Sequence, residues 1–113
     1  MPDDKTEAYE LKRIGATPTK NSGRGKFNKG DGIITVKDEP IFTCDVKEYK
    51  KSFAVSEDNW AKISLDAQKN GNTRPLFKLA LGDTEPRTRV VVIDEDMFNM
   101  LIEAYWMMED LNE

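Results

Sequence analysis

The stretch GIITVKDEPIFTCDVK, residues 32–47, decides how this chain is read. Two apolar-rich runs, GIITV (32–36) and IFTCDVK (41–47), flank the polar connection KDEP, and together they read as a β-hairpin. Successive side chains of a strand point to opposite faces, so Phe42, Cys44 and Val46 share one face and Thr43, Asp45 and Lys47 the other. The first face is core; the second is charged. With the turn centred near Asp38 and Glu39, Asp31 at the head of the first strand falls opposite Asp45 or one residue away. Directly opposed positions hold their Cβ atoms roughly 4.5 to 5.5 Å apart, where like charges are destabilising. A divalent cation gives two carboxylates a reason to meet there, because Mg²⁺ is bound by one or two carboxylates together with water and substrate phosphate.

Working outward, residues 3–14 (DDKTEAYELKRI) carry acids at the front and bases at the back, matching a helix dipole, with Gly15 as the stop and a thin apolar stripe. ATPTK reads as a short extended piece, and NSGRGKFNKGDG as a basic, glycine-rich loop that does not match the phosphate-binding pattern GxxxxGK[ST]. After the hairpin, SFAV (52–55) is read as an extension of the sheet. Ser56 then caps a helix, SEDNWAKISLDAQKNG, with Trp60, Ile63, Ser64 and Ala67 at helical spacing and Gly71 closing it. PLFKLALG (75–82) and RTRVVVI (87–93) read as strands, and a last helix is capped at Asp94. The expected architecture is a single α/β domain over residues 1–113, a mixed sheet flanked by helices in the order α-β-β-β-α-β-β-α.

At 113 residues the chain can bury one core. No apolar run approaches the length of a membrane span, and the polar, acidic start is unlike a secretory signal, so a cytoplasmic protein with no membrane partner is expected. A lone Cys44 excludes an internal disulfide and, on the core face, is read as a small hydrophobe; the absence of histidine excludes a His-based triad and argues against a zinc site. The net charge of −4 is unevenly spread. Residues 12–51 hold ten Lys/Arg against five acids, and the remainder holds seven against sixteen. Polyanion binding follows local potential, so a basic first half keeps nucleic acid in play.

An acid in a first helix, SG in a loop, GD at the head of a strand, DxK at the end of the next, then a helix and another strand together resemble the PD-(D/E)XK nuclease superfamily. Within it the chain resembles archaeal-type Holliday junction resolvases and their phage relatives. The matching pieces are Glu7 upstream of IGA, Ser22-Gly23, Asp31, Asp45-Val46-Lys47, KKSFAVSEDNWAKISLDAQKNG and PLFKLAL, roughly residues 7 to 82. A single DxK triplet is common by chance; the ordered combination is more specific.

The resemblance implies a restriction-endonuclease-like fold and a metal-dependent, structure-selective endonuclease acting on branched DNA. It implies that Asp31, Asp45 and the Val46 carbonyl bind Mg²⁺ or Mn²⁺, with Glu7 adding a ligand directly or through water. Lys47 would orient or deprotonate the attacking water. Asp45 stands where glutamate is more usual, and Glu10, three residues past Glu7, competes with it for the helix position. Ser22, Arg24, Lys26, Lys29, Lys50, Lys51 and Ser52 are candidate DNA contacts. The last helix carries more apolar residues than one core-facing stripe requires, which suggests a homodimer through Leu101, Tyr105 and Met108. Two other readings stand beside this one: a non-catalytic nucleic-acid-binding or phage accessory protein that keeps the fold, and a nicking or repair endonuclease acting on other DNA structures.

Overall fold

The computed structural model describes residues 4–19 and 29–111. The predicted loop residues Ser22, Arg24 and Lys26 lie outside that range. Helix α1 (Asp4–Arg13) is followed by strands β1 (Thr17–Pro18), β2 (Gly32–Val36) and β3 (Glu39–Tyr49), helix α2 (Glu57–Lys69), strands β4 (Arg74–Leu81) and β5 (Thr88–Val92), and helix α3 (Glu95–Leu111). The five strands form one mixed sheet in sequence order, antiparallel except for the β3–β4 pair, which α2 joins as a crossover. The architecture is α/β, in the element order expected.

Two details differ from the sequence reading. The hairpin turn is Lys37-Asp38, both at positive φ (51° and 67°), with Val36 paired to Glu39, so β3 starts two residues earlier than IFTCDVK. A two-residue turn with both central φ positive matches the twist of the strands it joins. The segment SFAV is not a strand. Its backbone serves the start of α2 instead: Asn59 Nδ2 donates to the Ala54 carbonyl (2.8 Å), and Ser56 and Asn59 satisfy each other's amides as a capping box.

The pleat of β3 sorts the interior into two layers. On one side Cys44, Val46 and Leu76 pack with Leu11 and Ala16 of the α1 region; on the other Phe77 and Leu79 pack with Ile63 of α2, and Phe53 and Trp60 complete that layer. Trp60 and Phe53 each meet the Phe77 ring edge-on, with centroids 5.3 and 5.4 Å away. Gly32 allows α1 to approach: a Cβ there would sit 2.7 Å from Leu11 Cδ2. Cys44 is buried as expected, and burial pushes its thiol up to about 12, so it stays protonated and inert.

Helix α3 is different. Asp94 caps it through the Met97 amide (2.7 Å), and Met97 is its one buried residue. Beyond the first turn, nine large apolar side chains from Phe98 to Leu111 are 41–85% exposed.

Candidate active site

The site forms where β2 and β3 part. Asp31 directly precedes β2, and its backbone is fixed on both sides: its amide donates to the Cys44 carbonyl (2.9 Å), and its carbonyl accepts from Thr19 (3.0 Å). Gly32 follows as the register partner of Cys44. The Asp31 side chain reaches β3, where Oδ2 accepts a hydrogen bond from the Val46 amide at 2.8 Å. In an extended strand the N–H and C=O of one residue face the same edge, so the Val46 carbonyl is presented toward Asp31 as well.

Asp45 projects from the α2 face beside this point. Gly30 stands beside it at φ +76°, where an added Cβ would clash with Thr43 Cγ2 at 2.7 Å and only touch Asp45 Oδ1 at 3.6 Å. Burial and the Asp31 charge push the Asp45 carboxyl up to about 6, with Lys47 opposing them. Burial likewise raises Asp31, against the Val46 amide, the Lys47 charge and a side-chain hydrogen bond with Glu7. The charges of Asp31 and Asp45 therefore oppose one another at this end of β3, with Glu7 near enough to Asp31 to lower its carboxyl. Lys47 lies on the same face as Asp45, its ammonium 5.8 Å from the Phe53 ring centroid and 5.9 Å from that of Phe77.

No family model, curated protein or solved structure matches the chain. The chemistry of the site rests on its own geometry. Among the described residues no group of three His, Cys, Asp or Glu side chains is already set to hold a metal ion. The oxygens at this end of β3 are the Asp31 and Asp45 carboxyls and the Val46 carbonyl, with Glu7 close enough to influence Asp31. That set fits Mg²⁺ or Mn²⁺, which take one or two carboxylates and complete their shell with water and phosphate. A cation held there would offset the repulsion between the two aspartates.

Glu10 is not part of this group. It is 1% exposed and bound to Lys78 and to Arg89, which contacts Oε1 at 2.9 Å and Oε2 at 3.0 Å. Burial alone would raise its carboxyl, but the hydrogen bonds and charges of Arg89 and Lys78 hold it below its ordinary value. Of the two candidates for the helix position, Glu7 is the one at Asp31.

Three residues at the site were not singled out in the sequence. Asp66 adds negative charge felt by both Asp31 and Asp45, and Lys62 adds positive charge at Asp45. Each immediately precedes a buried residue of α2, Ile63 or Ala67, and this flanking i, i+4 spacing was the available signal. Asn70 is 2% exposed and joins three elements: Nδ2 donates to the Lys29 carbonyl (2.8 Å) and to Thr43 Oγ1 (3.0 Å), and Oδ1 accepts from the Lys29 amide (3.3 Å). Thr43 Oγ1 is in turn 2.6 Å from Thr73 Oγ1, which donates to the Ala67 carbonyl. This chain fixes the approach to Gly30 and Asp31.

The remaining candidates are peripheral. Lys29, Lys50, Lys51 and Ser52 are exposed, the last three just past the end of β3. Lys50 stands 3.8 Å from Asp83 with most of its side chain in solvent. Leu101, Tyr105 and Met108 are exposed on α3.

Proposed function

We propose that this chain is a metal-dependent endodeoxyribonuclease of the PD-(D/E)XK type that hydrolyses phosphodiester bonds in branched DNA, in the manner of Holliday junction resolvases. The observation that carries the reading is the Asp31 carboxylate on the Val46 amide, beside the half-buried Asp45, whose carboxyl burial and the Asp31 charge push up to about 6.

Asp31, Asp45 and the Val46 carbonyl would hold Mg²⁺ or Mn²⁺, with Glu7 contributing directly or through water. When bound, the ion supplies a polarised phosphoryl oxygen and a more acidic water. Lys47 does not need to act as a base. Its ammonium orients the attacking water and stabilises charge developing on the phosphate. The Phe53 and Phe77 faces hold it toward that position. Lys29, Lys50, Lys51 and Ser52, together with Ser22, Arg24 and Lys26, contact the DNA backbone; a surface pair such as Lys50–Asp83 contributes little and is readily exchanged for phosphate.

The exposed apolar length of α3 supports a homodimer, in which a two-fold junction meets two sites related by a two-fold axis. The accessory-protein reading has one observation of its own: no three-carboxylate group is set for a metal among the described residues. The test is incubation of the protein with a labelled four-way junction and the matched linear duplex in Mg²⁺, Mn²⁺ or EDTA. Metal-dependent paired cuts in the junction support a resolvase. Cuts in both substrates leave a nuclease without junction selectivity, and binding without cutting favours the accessory protein.

A further inference from the structure

The face of the sheet opposite Asp45 carries a second charged group. Glu10 of α1 meets Lys78 of β4 and Arg89 of β5, and Arg87 lies 3.9 Å from its Oε2. Arg89 also grips Glu85 (2.8 Å), while Arg87 binds Glu48 of β3 (2.7 Å) and the Ala80 carbonyl (3.0 Å). Three acids face three bases, and Glu10 and Lys78 are almost wholly buried. A buried ion pair is commonly no more stabilising than well-packed apolar side chains of the same volume. Stability alone therefore does not account for placing this group in a core. It does provide direction: the Arg89 guanidinium fork holds the carboxylate at both oxygens in one orientation.

That orientation bears on how α1 is seated on the sheet. Leu11 is the one buried apolar side chain described on this ten-residue helix. Glu7 and Glu10 are three apart, so they are neighbours on the helix surface, and a rotation or slide that moves one moves the other. The grip is also placed directly behind the candidate site. Lys78 is the register partner of Val46, whose amide holds Asp31, and Glu48 follows Lys47.

We propose that Glu10 is a positioning residue: locked by Lys78 and Arg89, it fixes α1 on the sheet so that Glu7 reaches Asp31. The inference rests on the reading of Glu7, Asp31 and Asp45 as a metal-binding centre, and it is tested by one measurement that needs no metal and one that does. Glu10→Gln strands the Lys78 ammonium in the core and can simply unfold the chain, so the informative variant is Glu10→Leu with Lys78→Met, which removes both charges at similar volume. Amide hydrogen exchange on metal-free protein should show residues 7–13 losing about tenfold or more of their protection, with β3 and β4 unchanged. Calorimetric Mg²⁺ binding should weaken about ten- to a hundredfold, the range typical of groups that orient a metal ligand. Adding Glu7→Gln to that variant should weaken it no further, because both changes remove the same contact. Unchanged exchange in α1, or losses that add, overturn the proposal. If the wild-type protein binds no Mg²⁺, the metal reading fails, and the exchange experiment alone decides whether Glu10 fixes the helix.

Discussion

The Asp31 carboxylate accepts a hydrogen bond from the Val46 amide at 2.8 Å, so an acidic side chain occupies the place in the sheet where a neighbouring strand's carbonyl would otherwise sit. This relationship puts one carboxyl at the edge of β3 beside a second, half-buried one, Asp45. The main consequences are electrostatic.

Asp45 carries its charge at a cost. Its folded pKa of about 6 lies above the ordinary 3.8, so the folded protein binds this proton more tightly than the unfolded chain. The resulting stability is fully present below about pH 4 and is lost as pH rises through 6, on the order of 2 to 3 kcal/mol in all. Asp45→Asn should therefore raise the melting temperature of metal-free protein by several degrees at pH 7.5 and by little at pH 3.5, while abolishing cleavage. Thermal melts at the two pH values check this; a lower melting temperature at pH 7.5 would show that the charge is compensated.

Metal affinity should follow the same titration. Below about pH 6, Mg²⁺ must displace the Asp45 proton, so affinity should fall about tenfold per pH unit, and above that it should level off. Calorimetry in buffers of different ionisation enthalpy would count the released proton. A flat profile from pH 5 to 8 would remove Asp45 from the binding step.

Gly30→Ala places a Cβ against Thr43 Cγ2 at φ +76°, and Thr43 cannot yield easily because its hydroxyl is held by Asn70 and Thr73. The backbone strain alone costs about 1 to 3 kcal/mol. The expected outcome is a folded, less stable protein with cleavage reduced more than DNA affinity. Equal loss of both would mean that the glycine serves the fold and not the site.

Lys47→Ala should lower turnover by about a hundredfold or more with a smaller effect on DNA affinity, because the ammonium acts where charge develops. Single-turnover cleavage compared with equilibrium binding separates the two effects. An unchanged rate would leave Lys47 as a surface lysine resting on Phe53 and Phe77.

Tyr105→Glu or Met108→Glu should shift sedimentation toward the monomer and lose paired incision, since both residues lie on the exposed length of α3. A monomeric wild-type protein would end the dimer account.

Much of this was legible in the sequence, for identifiable reasons. The period-2 pattern around Cys44 sorted the side chains into two faces but missed that the Thr43, Asp45 and Lys47 face also packs, under α2, where Thr43 is fully buried; Ser56 and Asp94 marked helix starts because a side-chain oxygen at that position satisfies the first free amides. SFAV misled because Phe53 packs against the core as a strand residue would, while Ala54 and Val55 are exposed and the Ala54 carbonyl is used by the α2 cap. A choice between Glu7 and Glu10 was beyond local pattern: both lie on the packed side of α1, and only the arrival of Lys78 and Arg89 from 68 and 79 residues away claims Glu10. Lys78 itself reads as a break in an apolar strand until its partner is seen. Asn70 resembles an ordinary helix end for the same reason, since Lys29 and Thr43 are distant in sequence.

The most direct test of the central claim is anomalous diffraction from crystals grown with Mn²⁺. The account predicts a peak about 2 Å from carboxylate oxygens of both Asp31 and Asp45 and from the Val46 carbonyl, absent in Asp45→Asn. A fully occupied peak elsewhere, or none at millimolar Mn²⁺, would contradict the metal centre and the nuclease reading built on it.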